Sequence, residues 1–221
     1  RRLCIVGTDT DVGKTVVTAA LARAMGHAGR APLVLKPVQT GYAHDVFGSP
    51  LAPDCVVYRE ACPDAVVPDM LLLEDACSPH LAARQAGVVL SAAALAGAVD
   101  EQACARARPA LIEGAGGLLT PLNGTETLLD AFALLNAPLI LVAANRLGVL
   151  NHALLSVELL RARGLPLLGF ILTNPAPEGG GALGQRIRAD NRETLARMSG
   201  LPCLAELPYL SGLHSPDPAE R

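Results

Sequence analysis

"GTDTDVGKT", Gly7 to Thr15, follows a short apolar run, Leu3 to Val6, and opens onto the Ala- and Leu-rich "TVVTAALARAM", Thr15 to Met25. A polar, glycine-bounded loop between a buried strand and a helix presents backbone N–H groups and a helix N-terminus to an anion, which is the physical content of a phosphate cradle. The common template, G-x-x-x-x-G-K-[ST], sets four residues between its glycines. This loop has five, Thr8 to Val12. The extra residue changes the register and not the principle: Lys14 is expected to reach the β- and γ-phosphates of a nucleotide, and the Thr15 hydroxyl to ligate Mg²⁺.

The strand–loop–helix unit recurs along the chain. "PLVLKP", "PALIEG", "PLILVAA" and "PLLGFILTN" read as strands, and Ser91 to Arg106, Asn151 to Arg163 and Leu183 to Met198 as helices. Several strands are unbroken apolar runs, as burial on both faces demands. The expected fold is α/β, a doubly wound and mostly parallel sheet with helices on both faces, like the P-loop nucleotide-binding proteins. One domain is expected over residues 1–214, with a flexible tail at 215–221. Ligands of such sheets sit beyond the carboxyl ends of the strands, so the motif residues should cluster there. Gly41 to Pro79, rich in Pro, Asp and Ala, is the least legible stretch, and "PAPEGGGALG", Pro175 to Gly184, reads as a flexible loop.

Composition narrows the function. A chain of 221 residues buries roughly 70–75% of its unfolded surface and needs no staples. Its six cysteines form no C-x-x-C pair and no apolar leader precedes the first strand, which fits a reducing, cytoplasmic setting. No apolar run approaches the roughly 18 residues of a membrane helix. A net charge of −3, with three Phe, three Tyr and no Trp, leaves neither the basic field nor the stacking platform of a nucleic-acid binder. Neither nucleic acid nor a membrane is expected as a partner. Of the 18 basic residues only Lys14 and Lys36 are lysine. An ammonium is a compact point charge that a guanidinium fork does not replace beside a small phosphate or carboxylate.

Other motifs converge on the loop. "PALIEG" puts Glu113 at the end of an apolar strand, where an acidic residue can serve a metal, and "EGAGG", Glu113 to Gly117, continues with little side chain to obstruct a phosphate. Asp54 in "APDC" is a second candidate metal carboxylate, although an Asp beside Pro also suits a turn. "KPVQTG", Lys36 to Gly41, places a lysine at a strand's carboxyl end, where it can neutralise a carbamate or phosphoryl oxygen; a lysine snorkelling at a sheet edge is the plainer reading.

"GTDTDVGKT", "KPVQTG", "SPH", "EGAGGLLTPL" and "LGVLNHA", in this order and spacing, resemble dethiobiotin synthetase, the ATP-dependent cyclo-ligase of biotin synthesis, from Leu3 to about Leu210. The first motif is shared with other deviant-loop ATPases; "KPV-x-[ST]-G" with "EGAGG-x-x-TPL" is specific. The Gly-x5-Gly-Lys-Thr spacing is normal in that family. The resemblance implies a reaction in which 7,8-diaminononanoate takes up CO2 as a carbamate, ATP phosphorylates the carbamate, and the neighbouring amine closes a cyclic urea, with release of ADP and phosphate.

Carried over position by position, the resemblance implies that Asp11, Val12, Gly13, Lys14, Thr15 and Val16 wrap the nucleotide phosphates and that Thr15, Asp54 and Glu113 ligate Mg²⁺. Lys36 would be the catalytic lysine, with Lys14 as a second cation and Thr10 adding a hydroxyl. Thr40 would contact the diamine or its carbamate, and Gly114, Ala115 and Gly116 would line the crevice. Asp11 stands where many members carry Glu, and Thr40 where Ser is frequent. Thr173 or Asn174 would read the base from one side, with Pro208, Tyr209 and Leu210 on the other. Gly148, Val149, Leu150 and Asn151 would take the substrate's distant carboxylate across a homodimer; an ordinary N-capping role for Asn151 is compatible with both jobs.

Two other readings share the loop. A deviant-loop ATPase switch would carry a second lysine near the start of the loop, where this chain has Thr or Asp, and a membrane or DNA surface. An amidating ligase acting on a corrin acid would need a glutaminase domain in a chain about twice this long.

Overall fold

The computed structural model describes residues 1–44, 47–174 and 181–210. In chain order the elements are β1 (Arg2–Gly7), α1 (Lys14–His27), β2 (Leu33–Leu35), β3 (Val38–Thr40), β4 (Ala43–His44), β5 (Pro50–Leu51), α2 (Pro53–Ala61), β6 (Leu71–Leu73), α3 (Pro79–Gln85), α4 (Ala92–Arg106), β7 (Ala110–Glu113), α5 (Leu128–Leu135), β8 (Leu139–Ala144), α6 (Val149–Ala162), β9 (Leu167–Thr173), α7 (Gly181–Ser199) and β10 (Cys203–Leu207).

Six strands form one parallel sheet in the order β10-β9-β8-β1-β7-β2. The apolar runs are its middle strands, and β8 shows why they do not alternate in sequence. Leu139, Leu141 and Ala143 face one core, with Leu129 and Phe132 of α5 and Val157 and Leu160 of α6. Ile140, Val142 and Ala144 face the other, with Val17 and Ala22 of α1 and Cys55 and Tyr58 of α2. Both faces are covered, so polar residues have no place on this strand. Truncating fully buried Leu141 to Ala would cost about 2–5 kcal/mol.

The expected architecture is present, with changes at element ends. α4 starts where Ser91 caps it, its side chain accepting from Ala94 N at 3.1 Å. α6 begins at Val149, and its cap is Gly148 at φ 95, a left-handed conformation that glycine adopts without strain. Asn151 therefore lies inside the first turn, and the capping role read for it is wrong. α7 begins at Gly181, inside the expected loop. Residues 175–180 of that loop, and the expected tail at 215–221, lie outside the described residues.

The poorly legible stretch after Gly41 holds the β4–β5 ribbon, α2 and β6, and β6 pairs in parallel with β3 just before that stretch. Because every strand of the main sheet runs the same way, the loop after β1, Lys36 after β2, Glu113 ending β7, Thr173 ending β9 and Pro208 after β10 share one rim.

Candidate active site

The loop turns through Asp11 at φ 54, a left-handed conformation that Asp tolerates better than most side chains, and through Gly13 at φ 88. A Cβ on Gly13 would lie 2.9 Å from Thr173 Cγ2, so glycine is required there. The contact is close because Thr173 Oγ1 donates to Val12 O at 2.6 Å, tying the loop to the end of β9. Lys14 folds back over Gly7, and its Nζ donates to Asp9 O at 2.7 Å. Burial, and then the charge of Lys36, push the Lys14 pKa down to about 8, against the pull of Glu113, Asp54 and Asp11.

Lys36 stands between two carboxylates, its Nζ 2.6 Å from Asp54 Oδ2 and 2.6 Å from Glu113 Oε1. Glu113 is wholly buried and Lys36 is 6% exposed. Burial alone would lower the lysine's pKa, but Glu113 and then Asp54 outweigh it and hold the ammonium above its ordinary range. Thr15 Oγ1 lies 3.0 Å from Asp54 Oδ1 and 3.1 Å from Glu113 Oε1, one hydroxyl between two acceptors. Glu113 Oε2 takes the Tyr58 hydroxyl at 2.5 Å. Burial, followed by the charges of Glu113 and Asp54, raises the Tyr58 pKa well above that of a free phenol.

Asp54 is not a turn residue. Pro53, with φ pre-set for a helix and no N–H to leave unpaired, occupies the start of α2, and Asp54 sits in the first turn. The helix aims it at Lys36.

Lys14, Thr15, Lys36, Asp54 and Glu113 line a crevice of about 680 Å³ together with Thr10, Asp11, Gly13, Val16, Thr40, Ala115 and Gly116. At the other end Thr173, Asn174, Pro208, Tyr209 and Leu210 form the wall. Asn174 N donates to Leu207 O at 3.0 Å, which holds the β9 and β10 ends together. Behind them Asn145 donates to Glu206 Oε1 at 2.9 Å and accepts from Asn191 at 3.0 Å.

Not every expected residue reaches the crevice. Val12 is buried in the core and Gly114 N is taken by Ile5 O, so both support the wall without forming it. A Cβ on Gly114 would meet Leu128 Cδ2 at 2.9 Å, so this glycine lets α5 pack close. Gly148, Val149, Leu150 and Asn151 are not among the crevice residues of a single chain. The sequence reading missed Tyr58 and Gln39. Gln39 lines the crevice with Nε2 donating to Thr40 O at 3.1 Å, while its buried Oε1 has no partner among the described residues.

The donor set fits Mg²⁺: a hydroxyl and two carboxylates, all hard oxygens, meet at Thr15 with no nitrogen or sulfur ligand among them. No helix among the described residues is long and apolar enough to cross a membrane.

A family model described as an AAA domain matches residues 1–217. The ATP-dependent dethiobiotin synthetase BioD of Pseudomonas paraeruginosa is 40% identical over 212 residues, covering 94% of this chain and 89% of the relative. The enzyme of the same name from Halalkalibacterium halodurans is 39% identical, covering 97% and 87%. Among solved structures, the cell division ATPase MinD of Pyrococcus furiosus superposes with a TM-score of 0.55 at 19% identity, covering 96% of this chain and 84% of that one. The MinC:MinD complex of Aquifex aeolicus gives 0.57 at 11%, covering 96% and 82%. These two show the shared P-loop fold alone. Near-full-length identity at this level has a plain consequence: the chain belongs to the ATP-dependent dethiobiotin synthetase family.

Proposed function

We infer that the crevice carboxylates 7,8-diaminononanoate and closes its ureido ring at the expense of ATP. The observation that carries this reading is the ammonium of Lys36 held between Glu113 and Asp54, beside Lys14 and Thr15. Two cations at one rim suit a reaction that must hold a carbamate anion in line with a γ-phosphate, two negative groups that repel in water.

One amine, uncharged, adds to CO2 and loses a proton, giving the carbamate. A carbamate oxygen attacks the γ-phosphorus, the bond to the β-bridging oxygen breaks, and ADP leaves. The neighbouring amine then attacks the carbonyl carbon, phosphate departs with the C–O bond electrons, and the nitrogen releases its proton. In this reading Lys36 binds the oxygens of the carbamate and the γ-phosphoryl group, and Lys14 with the N–H groups of Asp11 and of Gly13 to Val16 takes the β- and γ-phosphates. Thr10 and Thr40 offer hydroxyls to the carbamate and the diamine. Thr15, Asp54 and Glu113 would hold Mg²⁺, which when bound draws charge off the phosphate oxygens. Ala115 and Gly116 leave space for phosphate.

The base is assigned to Asn174, between Leu207 and the chain at Pro208 to Leu210, because the Thr173 hydroxyl is engaged by Val12 O. The diamine's distant carboxylate is assigned to Gly148 to Asn151 of a second copy, in a homodimer. These residues open α6 at the sheet's carboxyl rim without lining their own crevice, and neighbouring Leu147 is 90% exposed. Six free cysteines accord with a reducing, cytoplasmic setting.

ATP consumption is measured with bicarbonate, with and without 7,8-diaminononanoate, and dethiobiotin is sought by mass spectrometry. Turnover that requires the diamine and yields the cyclic urea is expected. Slow ATP hydrolysis indifferent to the diamine would replace this reading with a nucleotide switch.

A further inference from the structure

We propose that Tyr58 is a positioning residue for the reaction, its hydroxyl fixing Glu113 so that one carboxylate oxygen meets the crevice while the other is held away from it. The proposal rests on Glu113 being a metal ligand, as inferred above.

The two oxygens of Glu113 have different company. Oε1 meets Lys36 Nζ and Thr15 Oγ1, both residues of the crevice wall. Oε2 meets the Tyr58 hydroxyl, which comes from the core between α2 and the sheet. Tyr58 is 0% exposed. A phenylalanine would fill the same apolar space, so packing alone does not call for the hydroxyl; a buried phenol is retained where it has a partner, and the partner here is a carboxylate.

The helix adds a geometric reason. Asp54 and Tyr58 are one turn apart on α2 and so share a face. Asp54 reaches Lys36 from the first turn, and Tyr58 reaches Glu113 from the second. One rigid element thus presents one candidate metal carboxylate and braces the other, which ties the spacing of the two carboxylates to the seat of α2 against α1 and the sheet.

The consequence is a carboxylate that turns a single oxygen toward the crevice. Mg²⁺ demands near-octahedral geometry and takes single oxygens from carboxylates more readily than both from one. With Oε2 bonded to the phenol, Glu113 can rotate little, and Oε1 remains aimed at Thr15. When Lys36 turns toward the reacting oxygens, Glu113 loses an ammonium, and the Tyr58 hydrogen bond still satisfies its buried side.

The test is Tyr58→Phe, which removes the oxygen and keeps the ring. ADP affinity is measured by calorimetry without metal and with saturating Mg²⁺, and the ratio of the two is the metal-linked gain. The expected result is metal-free ADP affinity within twofold of the parent and a metal-linked gain reduced about tenfold, the scale on which outer-shell partners act. In steady state the Mg²⁺ concentration for half-maximal rate should rise by a similar factor, with KM for the diamine unchanged. A metal-linked gain within twofold of the parent would overturn the proposal, as would equal losses with and without metal.

Glu113→Gln separates the two levels of inference. If it leaves the metal-linked gain intact, Glu113 is not a ligand and the site assignment falls first. If it abolishes the gain while Tyr58→Phe does not alter it, only the role of Tyr58 falls. Should the Phe variant lose its fold, 3-fluorotyrosine at position 58 keeps the ring and strengthens the donor. The metal-linked gain should then shift at least twofold, and an unchanged gain counts against the proposal.

Discussion

Lys36 Nζ and Glu113 Oε1 lie 2.6 Å apart, and neither residue is more than 6% exposed. An ion pair taken this far out of water is weak evidence for stability, because desolvation offsets much of the attraction. Its place on the crevice wall, with Asp54 on the other side of the same ammonium, accords with the proposal that this charge is kept for chemistry.

The pair predicts the behaviour of two substitutions. Lys36→Arg should bind ATP within a fewfold of the parent and lose about 100-fold or more in kcat, since a planar fork does not fit the position of a compact ammonium between two carboxylates. Lys36→Met leaves Glu113 buried without its cation and should lower stability by about 3–5 kcal/mol. Stopped-flow turnover and urea unfolding check the two outcomes. An arginine variant working at near parental rate would remove Lys36 from the reacting group.

Lys14 gives a pH signature. Its free-state pKa is lowered to about 8, and phosphates arriving beside it raise that value by favouring the charged form. Nucleotide binding should therefore take up a proton above pH 8, and affinity should fall as pH rises past that point. Metal-free ADP is expected to bind about tenfold more weakly at pH 9 than at pH 7. Calorimetry in two buffers of different ionisation enthalpy reads the proton directly. Lys14→Met should bind weakly with no such slope; a flat profile for the parent protein would show that the ammonium does not meet phosphate.

Thr173 and Asn174 are adjacent in sequence and are expected to fail differently. Thr173→Ala removes the hydrogen bond to Val12 O and loosens the loop, so tripolyphosphate and ATP should both bind about 3- to 10-fold more weakly. Asn174→Ala touches only the end proposed to read the base, so ATP affinity should fall while tripolyphosphate affinity holds. The reverse pattern, with Asn174→Ala harmless and Thr173→Ala selective for ATP, would return the base to Thr173.

The difference between these neighbours marks how far the sequence could be read. Strand identity followed from burial on both faces, as the six unbroken apolar residues of β8 illustrate. The cluster of Lys14, Lys36 and Glu113 followed from parallel strands ending at one rim. The tie between Thr173 and the loop did not, because it depends on the distance between β9 and Val12. Tyr58 was missed for a similar reason: "PDCVVYREA" shows an i, i+4 pair only once Pro53 is seen as a helix start. α5 was passed over because eight mostly apolar residues lack a polar stripe, and β10 because an edge strand alternates in exposure and lacks the apolar run of its neighbours.

Asp130 offers a test of α5, which packs against the backbone at Gly114 through Leu128 and Phe132. It sits at the third position of the helix. Its carboxylate accepts from Thr127 N at 2.7 Å and from Thr127 Oγ1 at 2.8 Å, completing a capping box, and Arg163 pairs with its other oxygen. The Thr127 backbone bond, then the Arg163 and Thr127 side chains, lower its pKa from 3.8 to about 2. A depressed carboxyl pKa stabilises the fold in full above the ordinary value, and that stabilisation is lost as pH falls through 3.8 toward 2. Allowing for solvent around this partly exposed group, Asp130→Asn should cost about 1 kcal/mol at neutral pH. The gap to the parent protein should shrink by about half near pH 3, because the parent has then lost much of what the variant never had. Urea midpoints from pH 7 down to pH 3 read this directly. A gap that stays constant over that range would mean that Asp130 holds α5 by shape and not by charge.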